Sequence, residues 1–435
     1  MSSDGPVLLI GPGDLADEVR RALDGMDTEV VRLVQPNRRE VEEVFDRGPV
    51  RRALVVASND PFALRMALMV RHVSDDVELI VTLFNPVLGE QLAQLIEPVT
   101  ITSLADIAAP VLAAGCLRDE LGAIELHDGR AVGLSVQGDR VREEPLDLPT
   151  PSTARMQLES ILRPYDKSAA LMFYGILGLV AVLLAETVGS LVVLELGAVD
   201  AFYGSAMTLV TVGPNDAVSK GPSAFKVFIA ITILCALVFE AFFTAGIVNR
   251  LIDRRLTGLM GRRAMPRRDH VVVIGLGQVG LRLAQLLQSA GVGVVAVDER
   301  ETGENVGFAR ELGIPVVVGR GADPSLLHDL SLKSACAVAA ATDDDLENVS
   351  IAMSALSQHP DLRIVLRVGD GRLANETRSL EGFAVVRDVH RIAAAVIAAR
   401  AVGSDAARAV CDGDEIALVH PDGRVEPPAF EHTPA

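Results

Sequence analysis

Tryptophan is absent from the 435 residues, and the chain has only three tyrosines and four cysteines. The cysteines, Cys116, Cys235, Cys336 and Cys411, lie far apart and show no paired spacing, which indicates a reduced, cytosolic setting for the soluble parts. Positive charge is also scarce, because the formal net charge is −18. Phosphate binding needs a basic surface, so we expect no nucleic-acid partner.

A secretory signal peptide is also not visible, because the N-terminus "MSSDGPVLLIGPG" has neither a basic region nor a long apolar run. The length is enough for two or three domains. Mean hydropathy is positive although 23% of the residues are charged. Apolar residues are therefore concentrated in part of the chain, and a membrane segment is the first interpretation.

Two apolar runs, at about 168–190 and 226–248, are each long enough to cross the roughly 30 Å hydrocarbon core of a bilayer as a helix. The first has no charge before Glu186, and the second has one charge, Glu240, between Val227 and Val248. We predict two transmembrane helices in contact with membrane lipid.

Basic residues flank the two runs on one side. The residues before the first run are Arg155, Arg163 and Lys167, those after the second are Arg250, Arg254, Arg255, Arg262, Arg263, Arg267 and Arg268, and those between the runs are Lys220 and Lys226. The positive-inside rule then predicts a multi-pass plasma-membrane protein with both termini cytoplasmic. The alternative is that these arginines only bind domain surfaces.

The segment between the runs contains "DAFYGSAMTLVTVGPND" over residues 200–216. We predict that Asp200 caps a short helix that runs to about Val210, and that an extended stretch follows. Non-helical backbone persists at membrane depth only where protein buries it or where it lines water. This pattern predicts a re-entrant pore loop.

The end of this segment resembles the filter of two-span potassium channels, which reads Thr-Val-Gly-Tyr-Gly-Asp. The matching residues are Thr211, Val212, Gly213 and Asp216. The resemblance implies that backbone carbonyls coordinate potassium ions in the pore. Pro214 replaces the tyrosine and Asn215 replaces the second glycine, so we expect the inner ion sites to persist and the outer ones to be weakened. The alternative is a chance Thr-Val-Gly in an apolar hairpin loop.

A second motif, "HVVVIGLGQVGLRLAQLL", combines a β-branched strand, a glycine turn and an apolar-periodic helix. Its glycines are Gly275, Gly277 and Gly280, and the next strand ends in Asp298 and Glu299. Such glycines let the backbone approach a pyrophosphate at a helix N-terminus, and the acid takes ribose hydroxyls. The pattern predicts a Rossmann-like nucleotide site.

From about residue 269 to 400 the chain resembles the regulator of potassium conductance domain, also called TrkA-type. Further elements that carry the resemblance are Gly321 to Asp323, Asp343 to Asp345, Asn348 and Arg367. It implies a regulatory NAD(H) or adenosine nucleotide (ATP or ADP), held by the glycines and Asp298 together with Glu299, Ala322, Asp323, Thr342, Asp343 and Arg367. For the acidic run Asp343 to Asp345, a solvated helix start and a cation or ligand role both stay open.

An eroded copy of this unit covers most of residues 5–115, with Gly11, Gly13 and Ala16 at the glycine positions. Arg32 stands where the other copy has Asp298, and Leu83 stands where it has Arg367. The copy is also shorter by about one strand–helix unit. We predict a scaffold or dimerisation role, with nucleotide binding as the alternative.

The fold class is a helical membrane pore module, with two spans and a re-entrant loop, flanked by two α/β Rossmann-like domains. The predicted domains are a degenerate regulator domain (1–145), a linker with an interfacial helix (146–166), the pore module (167–249), a basic linker (250–268), the nucleotide-binding regulator domain (269–400) and an extension with a short strand pair and a tail (401–435).

The function that these patterns favour is a nucleotide- or cation-regulated potassium or weakly selective cation channel, assembled as a homotetramer and not an enzyme. Glu240 is a candidate for concentrating cations in the inner pore, with pairing or snorkelling as the alternative. Gly246 is a candidate hinge, with close helix packing as the alternative. A non-conducting nucleotide sensor or a transporter subunit remains the second reading. An NAD-dependent enzyme is disfavoured, because no substrate domain or acid–base pair accompanies the motif.

Overall fold

The computed structural model describes residues 5–146, 148, 167–210, 216–252, 266, 268–369 and 383–428. These residues divide between two compact units, one formed by 1–152 together with 265–435 and the other by 153–264. The filter residues 211–215 lie outside the described residues, as do most of the two predicted linkers, and the side chain of Asp216 lies outside them as well.

The N-terminal half of the first unit is a five-stranded parallel sheet in the order β2-β1-β3-β4-β5, with helices between the strands. Its strands are β1 (Val7–Ile10), β2 (Val30–Leu33), β3 (Arg52–Val55), β4 (Glu78–Thr82) and β5 (Val99–Thr102), and its helices are α1 (Asp14–Gly25), α2 (Arg38–Arg47), α3 (Asp60–Val73), α4 (Pro86–Leu95) and α5 (Leu104–Leu117). The parallel pairing of these strands and their alternation with helices make this a Rossmann-type sheet.

A small antiparallel sheet follows α5. Its strands are β6 (Ala123–His127), β7 (Arg130–Gln137) and β8 (Arg140–Pro145). The strand pattern of this segment was not part of the sequence prediction, which ended the resemblance to the other copy at about residue 115.

The second unit contains α6 (Lys167–Val193), α7 (Ala198–Leu209), α8 (Asp216–Lys220) and α9 (Ser223–Ile252). Two stretches, Leu171–Val193 and Ser223–Val248, are long and apolar enough to cross a membrane. They pack closely, because a Cβ on Gly175 would lie 2.7 Å from the backbone N of Phe243. The small residue therefore lets the two helix backbones approach each other.

Asp200 does not cap the short helix α7, which corrects the sequence prediction. Gly197 is the N-cap residue and makes no side-chain cap bond, whereas Asp200 lies in the first turn of the helix. The carboxylate still complements the positive end of the helix dipole from that place.

The C-terminal half of the first unit is a six-stranded parallel sheet in the order β11-β10-β9-β12-β13-β14. Its strands are β9 (His270–Ile274), β10 (Gly293–Asp298), β11 (Val316–Val318), β12 (Ala335–Ala340), β13 (Arg363–Val368) and β14 (Val385–Asp388), and its described helices are α10 (Gln278–Ser289), α11 (Glu304–Glu311), α12 (Pro324–Asp329), a 3-10 turn (Leu332–Ser334), α13 (Asp345–Gln358) and α14 (Val389–Ala401). The N-terminal sheet has no counterpart of β11 and α12, as its shorter sequence predicts.

A second small antiparallel sheet follows α14, with strands β15 (Arg408–Asp412), β16 (Glu415–Val419) and β17 (Val425–Glu426). It has one strand more than the predicted pair. The two small sheets contact each other, since Arg408 Nη1 lies 2.6 Å from Glu125 Oε2 and the N–H of Cys411 donates to the carbonyl of Gly122.

The two halves exchange their last long helix. The apolar residues of α5 share a core with α10 and with strands β9 and β12, and α14 packs against α1 of the N-terminal half. Arginines at strand starts secure the exchanged helices. Arg52 Nη1 donates to the carbonyl of Arg400 at 2.6 Å, and Arg363 contacts the carbonyl of Gly115 and the carboxylate of Asp119. The duplicated halves therefore form one unit.

Candidate functional site

The glycine turn after β9 has the geometry that a nucleotide phosphate requires. Gly275 has φ 95°, and a Cβ on Gly280 would lie 1.8 Å from the carbonyl oxygen of Gly275, so neither position accepts a side chain. Gly277 is the N-cap of α10, and a Cβ built there meets nothing within 4 Å. The turn thus leaves open space at the N-terminus of a helix, where backbone N–H groups attract an anion.

Asp298, at the end of β10, holds this turn in place. Its carboxylate accepts hydrogen bonds from the N–H of Leu276 at 2.9 Å and from the N–H of Arg300 at 2.8 Å. Each carboxylate oxygen keeps a second acceptor direction for a ligand hydroxyl. The neighbouring Glu299 lies 3.8 Å from Arg320, in an exposed ion pair.

Asn348 fixes the loop that follows β12. This side chain is fully buried, and its amide oxygen accepts from both the N–H and the hydroxyl of Thr342. Its amide nitrogen donates to the carbonyls of Thr342 and Arg367. The loop is held beside the glycine turn, since Thr342 N lies only 2.7 Å from the Cβ position of Gly275.

Arg367 reaches the same loop from β13. Its Nη1 donates to the carbonyl of Thr342 at 2.6 Å, while its Nε is buried without a hydrogen-bond partner among the described residues. Burial lowers the pKa of the Arg367 guanidinium, and the nearby Asp345 and Asp343 oppose that shift. The side chain therefore keeps an unused donor in a partly buried position beside the glycine turn.

The three acids after β12 have separate roles. Asp344 caps α13 by accepting from the N–H groups of Leu346 and Glu347, and Asp345 accepts from the N–H of Gly369. Asp343 lines the cavity described below. A helix start accounts for Asp344, whereas Asp343 is free to face a ligand.

Asp323 is a helix cap in this structure. It accepts hydrogen bonds from the N–H and the hydroxyl of Ser325 at the start of α12, and these bonds lower the pKa of its carboxyl. The cavity is lined on this side by Gly319 and Gly321, while Ala322 and Asp323 are not among its lining residues. The structure thus separates this pair from the other predicted nucleotide residues.

These elements enclose a cavity of about 720 Å³, within the range of small-molecule sites. The N-terminal half supplies part of the wall. The predicted residues that line the cavity are Gly275, Gly277, Asp298, Glu299, Thr342, Asp343 and Arg367. Gly280 lies just below the turn, where it supports Gly275.

The lining also includes residues that the sequence did not indicate, among them Ser58, Phe84, Gln278, Glu347 and His390. Gln278 Nε2 donates to the carbonyl of Ser58 at 3.1 Å. Gln278 follows the N-cap glycine, so its position was readable from the motif. Ser58 and Phe84 were not, because nothing in the sequence tells which loops the other half brings to the cleft.

The glycine turn of the N-terminal half faces the same cavity, since Pro12, Gly13 and Asp14 also line it. A Cβ on Gly11 would lie 1.8 Å from the carbonyl oxygen of Val56, whereas Gly13 caps α1 with open space around it. Arg32 pairs with Asp17 at 2.5 Å and donates to the carbonyl of Gly11. The backbone cradle persists here, but the strand register places Val34, not Arg32 as predicted, at the position of Asp298, so this turn lacks the acid.

The two predicted inner-pore residues differ in their exposure to solvent. Glu240 is exposed on α9 of the single chain, and Gly246 is buried on the same helix. Within the ranges that the structure describes, no group of three or more His, Cys, Asp or Glu side chains is arranged to hold a metal ion.

The fold and the cleft define the class: a Rossmann-type regulatory domain. Residues 271–387, which run from β9 to β14, match the family model described as the TrkA-N domain. The chain therefore carries a TrkA-N domain, as its motifs indicated.

Comparisons over longer stretches point to potassium channels. The chain is 26% identical over 220 residues to the voltage-gated potassium channel Kch of Escherichia coli, which covers 50% of each protein. It is 23% identical over 201 residues to potassium channel protein 1 of Methanocaldococcus jannaschii, covering 44% of this chain and 60% of that protein. The chain thus spans about half the length of these two relatives.

A solved structure titled GsuK Channel shares the fold with a TM-score of 0.51 at 16% identity, covering 91% of this chain and 63% of that one. The chain therefore resembles potassium channels in sequence, carries a TrkA-N domain and has two helices long and apolar enough to cross a membrane.

Proposed function

We propose that this protein is a nucleotide-regulated potassium or weakly selective cation channel that conducts passively through a homotetrameric pore. The observation that carries the proposal is α7, a short helix that lies between two membrane-length helices and ends directly before "TVGPND". Two relatives of the chain that are named as potassium channels also match it over 220 and 201 residues, which is longer than the TrkA-N domain at 271–387.

Helix α7 is suited to support a filter. One face is buried, formed by Ala201, Gly204, Ser205 and Thr208. The two hydroxyls on this face donate to carbonyls of their own helix, so the face presents no unpaired polar group to the neighbouring span. Its C-terminal end, where the helix dipole is negative, leads into residue 211. That end favours a cation.

A single loop cannot enclose a path across a membrane, so the proposal requires several copies, and four is the number that the resemblance implies. The two spans offer broad apolar surfaces to neighbouring copies and lipid, since only 22% and 17% of their most apolar windows are buried in the single chain. Four exposed copies of Glu240 would raise the cation concentration at the inner end of the path.

The ligand that best fits the TrkA-N cleft is an adenine nucleotide, either NAD(H) or ATP or ADP. The open space at Gly277 would hold phosphate, the free acceptor directions of Asp298 would hold ribose, and the guanidinium of Arg367, which lines the cavity, would meet a phosphate or base. An acid rather than a basic residue at the end of β10 favours an unphosphorylated 2′-hydroxyl. A cation, drawn by Asp343 and Glu347, is the second regulatory ligand to test.

The test is single-channel recording of the purified full-length protein in planar bilayers, with and without NAD, ATP or ADP. We expect cation current whose open probability changes with at least one of these nucleotides. Gly277→Ala, which adds one methyl group to the open space, should conduct with the same unit current and lose the nucleotide response. Anion current, or no current from protein that still binds nucleotide, would contradict the proposal.

Absence of current with retained binding would instead favour a non-conducting nucleotide sensor or a transporter regulatory subunit. Pro214 and Asn215 are the observation behind this second candidate, because Pro214 lacks the amide hydrogen and the ring hydroxyl that brace the filter in the potassium-channel family. If the protein conducts, reversal potentials should show weaker potassium-over-sodium selectivity than that family, and Pro214→Tyr with Asn215→Gly should sharpen it.

A further inference from the structure

Three polar side chains are buried on the two membrane spans: Glu186 and Ser190 on α6 and Thr232 on α9. Glu186 on α6 is 1% exposed, and Thr232 on α9 is 8% exposed. The single chain buries only 22% and 17% of the two apolar windows, so most of each span faces outward. A carboxyl group thus occupies one of the few places that the two helices enclose without any partner copy.

The seam around this pair is otherwise mostly apolar. On α9 the buried residues Phe225, Ile229, Thr232 and Ala236 form one helical face. On α6, Val182, Glu186 and Ser190 face the same way. Gly189 lies against the rings of Phe225 and Phe228, where a Cβ would come within 3.0 Å. Sliding one helix by a turn would place Glu186 opposite Ile229 or Ala236, which offer no side-chain partner.

The hydrogen bonds around Thr232 indicate which form of Glu186 fits. Thr232 Oγ1 lies 2.5 Å from Glu186 Oε1 and 2.9 Å from the carbonyl oxygen of Ile229. A hydroxyl has one hydrogen, so it cannot donate to both acceptors. A neutral acid resolves this, because its O–H donates to Thr232 Oγ1 and the threonine hydroxyl then donates to Ile229.

No cation among the described side chains lies ready to pair with an ionised Glu186. Its Oε2 is buried without a hydrogen-bond partner among the described residues. The described ionisable side chains of the second unit, other than Glu186 itself, are exposed, and they are Tyr174, Glu195, Asp200, Tyr203, Lys220, Lys226, Cys235 and Glu240. An unpaired carboxylate in such surroundings costs several kcal/mol.

We propose that Glu186 is a neutral carboxylic acid that donates a hydrogen bond to Thr232, and that this bond sets the register of α6 against α9. A single buried polar contact in an apolar helix seam acts in this way because every other register leaves it unpaired. Glu186 is then a positioning residue. The inference does not depend on ion conduction.

The first experiment is infrared spectroscopy of the full-length protein in lipid bilayers at neutral pH. We expect a carbonyl band of a protonated carboxylic acid that Glu186→Gln removes and that Thr232→Val moves to higher frequency, because the hydrogen bond is lost. A spectrum in which Glu186→Gln changes no carboxylic-acid band would overturn the assignment.

The second experiment measures coupling between the two side chains. Since the chain has no tryptophan, Phe228→Trp places one fluorophore beside Gly189, and detergent unfolding of the full-length protein in that background reports on the seam. With Glu186 present, Thr232→Val should raise the equilibrium constant for unfolding by about threefold to twentyfold, which is the range measured for interhelical hydrogen bonds in membranes. It should have no such effect in a Glu186→Leu background.

Glu186→Gln should keep the wild-type midpoint, since its amide can still donate to Thr232 Oγ1. Thr187→Val is the matched control, because the Thr187 hydroxyl donates only to the carbonyl of Leu183 in its own helix. Its effect should be the same with Glu186 and with Leu at position 186. Equal effects of Thr232→Val in both backgrounds would overturn the register role.

Discussion

The two halves of the first unit have a similar backbone fold at the glycine turn, but they differ in the side chains that meet at the cleft. Gly13 and Gly277 both leave open space at a helix N-terminus. In the C-terminal half, Asp298 and Arg367 keep unused hydrogen-bonding capacity there. In the N-terminal half, Arg32 is engaged with Asp17, and the strand register makes Thr82, not the predicted Leu83, the counterpart of Arg367, with its hydroxyl already bonded to the carbonyl of Ala57. The proposed ligand site therefore lies at the cradle of the C-terminal half, where the side chains keep hydrogen-bonding capacity.

The comparison also assigns a different role to the N-terminal half. Its loops at Ser58 and Phe84 form the far wall of the cleft, and Phe84 lies 5.8 Å from the guanidinium carbon of Arg282 on α10. Arg282 also pairs with Asp106 on α5 at 2.6 Å. The N-terminal half is therefore in direct contact with α10, the helix that Gly277 caps.

The largest expected effect comes from the third glycine position, where the halves carry Gly280 and Ala16. Gly280→Ala should destabilise the protein by about 3 kcal/mol or more, because its Cβ would overlap the carbonyl oxygen of Gly275. Ala16→Gly in α1 should cost only about 1 kcal/mol, the usual helix penalty. Denaturant unfolding of the full-length protein followed by circular dichroism measures both. Equal losses would contradict the difference between the two turns.

The next effect concerns the open helix N-terminus. Gly277→Ala should fold normally and weaken nucleotide binding by about thirtyfold, because the added methyl group occupies the phosphate space. Gly307→Ala is the control, since it also adds a methyl group in open space, on α11, and should leave binding unchanged. Calorimetry must use the full chain, because α5 supplies part of the core of the C-terminal half. Unchanged affinity in Gly277→Ala would place the ligand elsewhere.

A smaller effect on nucleotide affinity should distinguish Arg367 from Arg32. Arg367→Lys keeps a cation that can donate to Thr342 but removes Nε, so nucleotide affinity should fall about tenfold. Arg32→Ala should leave the same affinity unchanged, since Arg32 serves the ion pair with Asp17. Calorimetry with NAD, ATP and ADP gives both values. Loss of binding in Arg32→Ala would show that the N-terminal half also binds the nucleotide.

The smallest expected effect is a pH dependence of stability that arises beside the second small sheet. His420 in the second sheet lies 2.5 Å from Asp405 and 3.1 Å from Glu426, and these acceptors raise the pKa of its imidazole. The stabilisation is therefore complete below about pH 6.5 and is lost as pH rises through the raised value. His420→Asn should remove this slope from thermal unfolding curves, and Asp405→Asn should reduce it. A slope unchanged in His420→Asn would assign it to other groups.

Much of this architecture follows from short-range pattern. The strand, glycine turn and helix near Gly275 could be predicted because they depend only on local geometry. The missing strand–helix unit of the first copy could be predicted from its shorter length. The exchange of α5 and α14 was not readable, because both helices are alanine-rich and buried on most sides, which indicates burial without indicating the partner sheet.

Glu186 was passed over for a related reason. In the sequence it reads as an interruption of an apolar run, and only the packing of α6 on α9 brings Thr232 to it. Glu240, which the sequence singled out, is exposed in the single chain instead. Composition marks a charge within a span, but the helix face that carries it depends on which side the partner helix covers.

The helix exchange has a consequence for the order of events during synthesis. The N-terminal half leaves the ribosome first, and residues 153–264 must be made and inserted before the half that covers α5 is complete. At ordinary translation rates this delay is on the order of tens of seconds. During that time the alanine-rich face of α5 lacks the partner that buries it in the folded protein, so an apolar surface stays exposed until the C-terminal sheet is made.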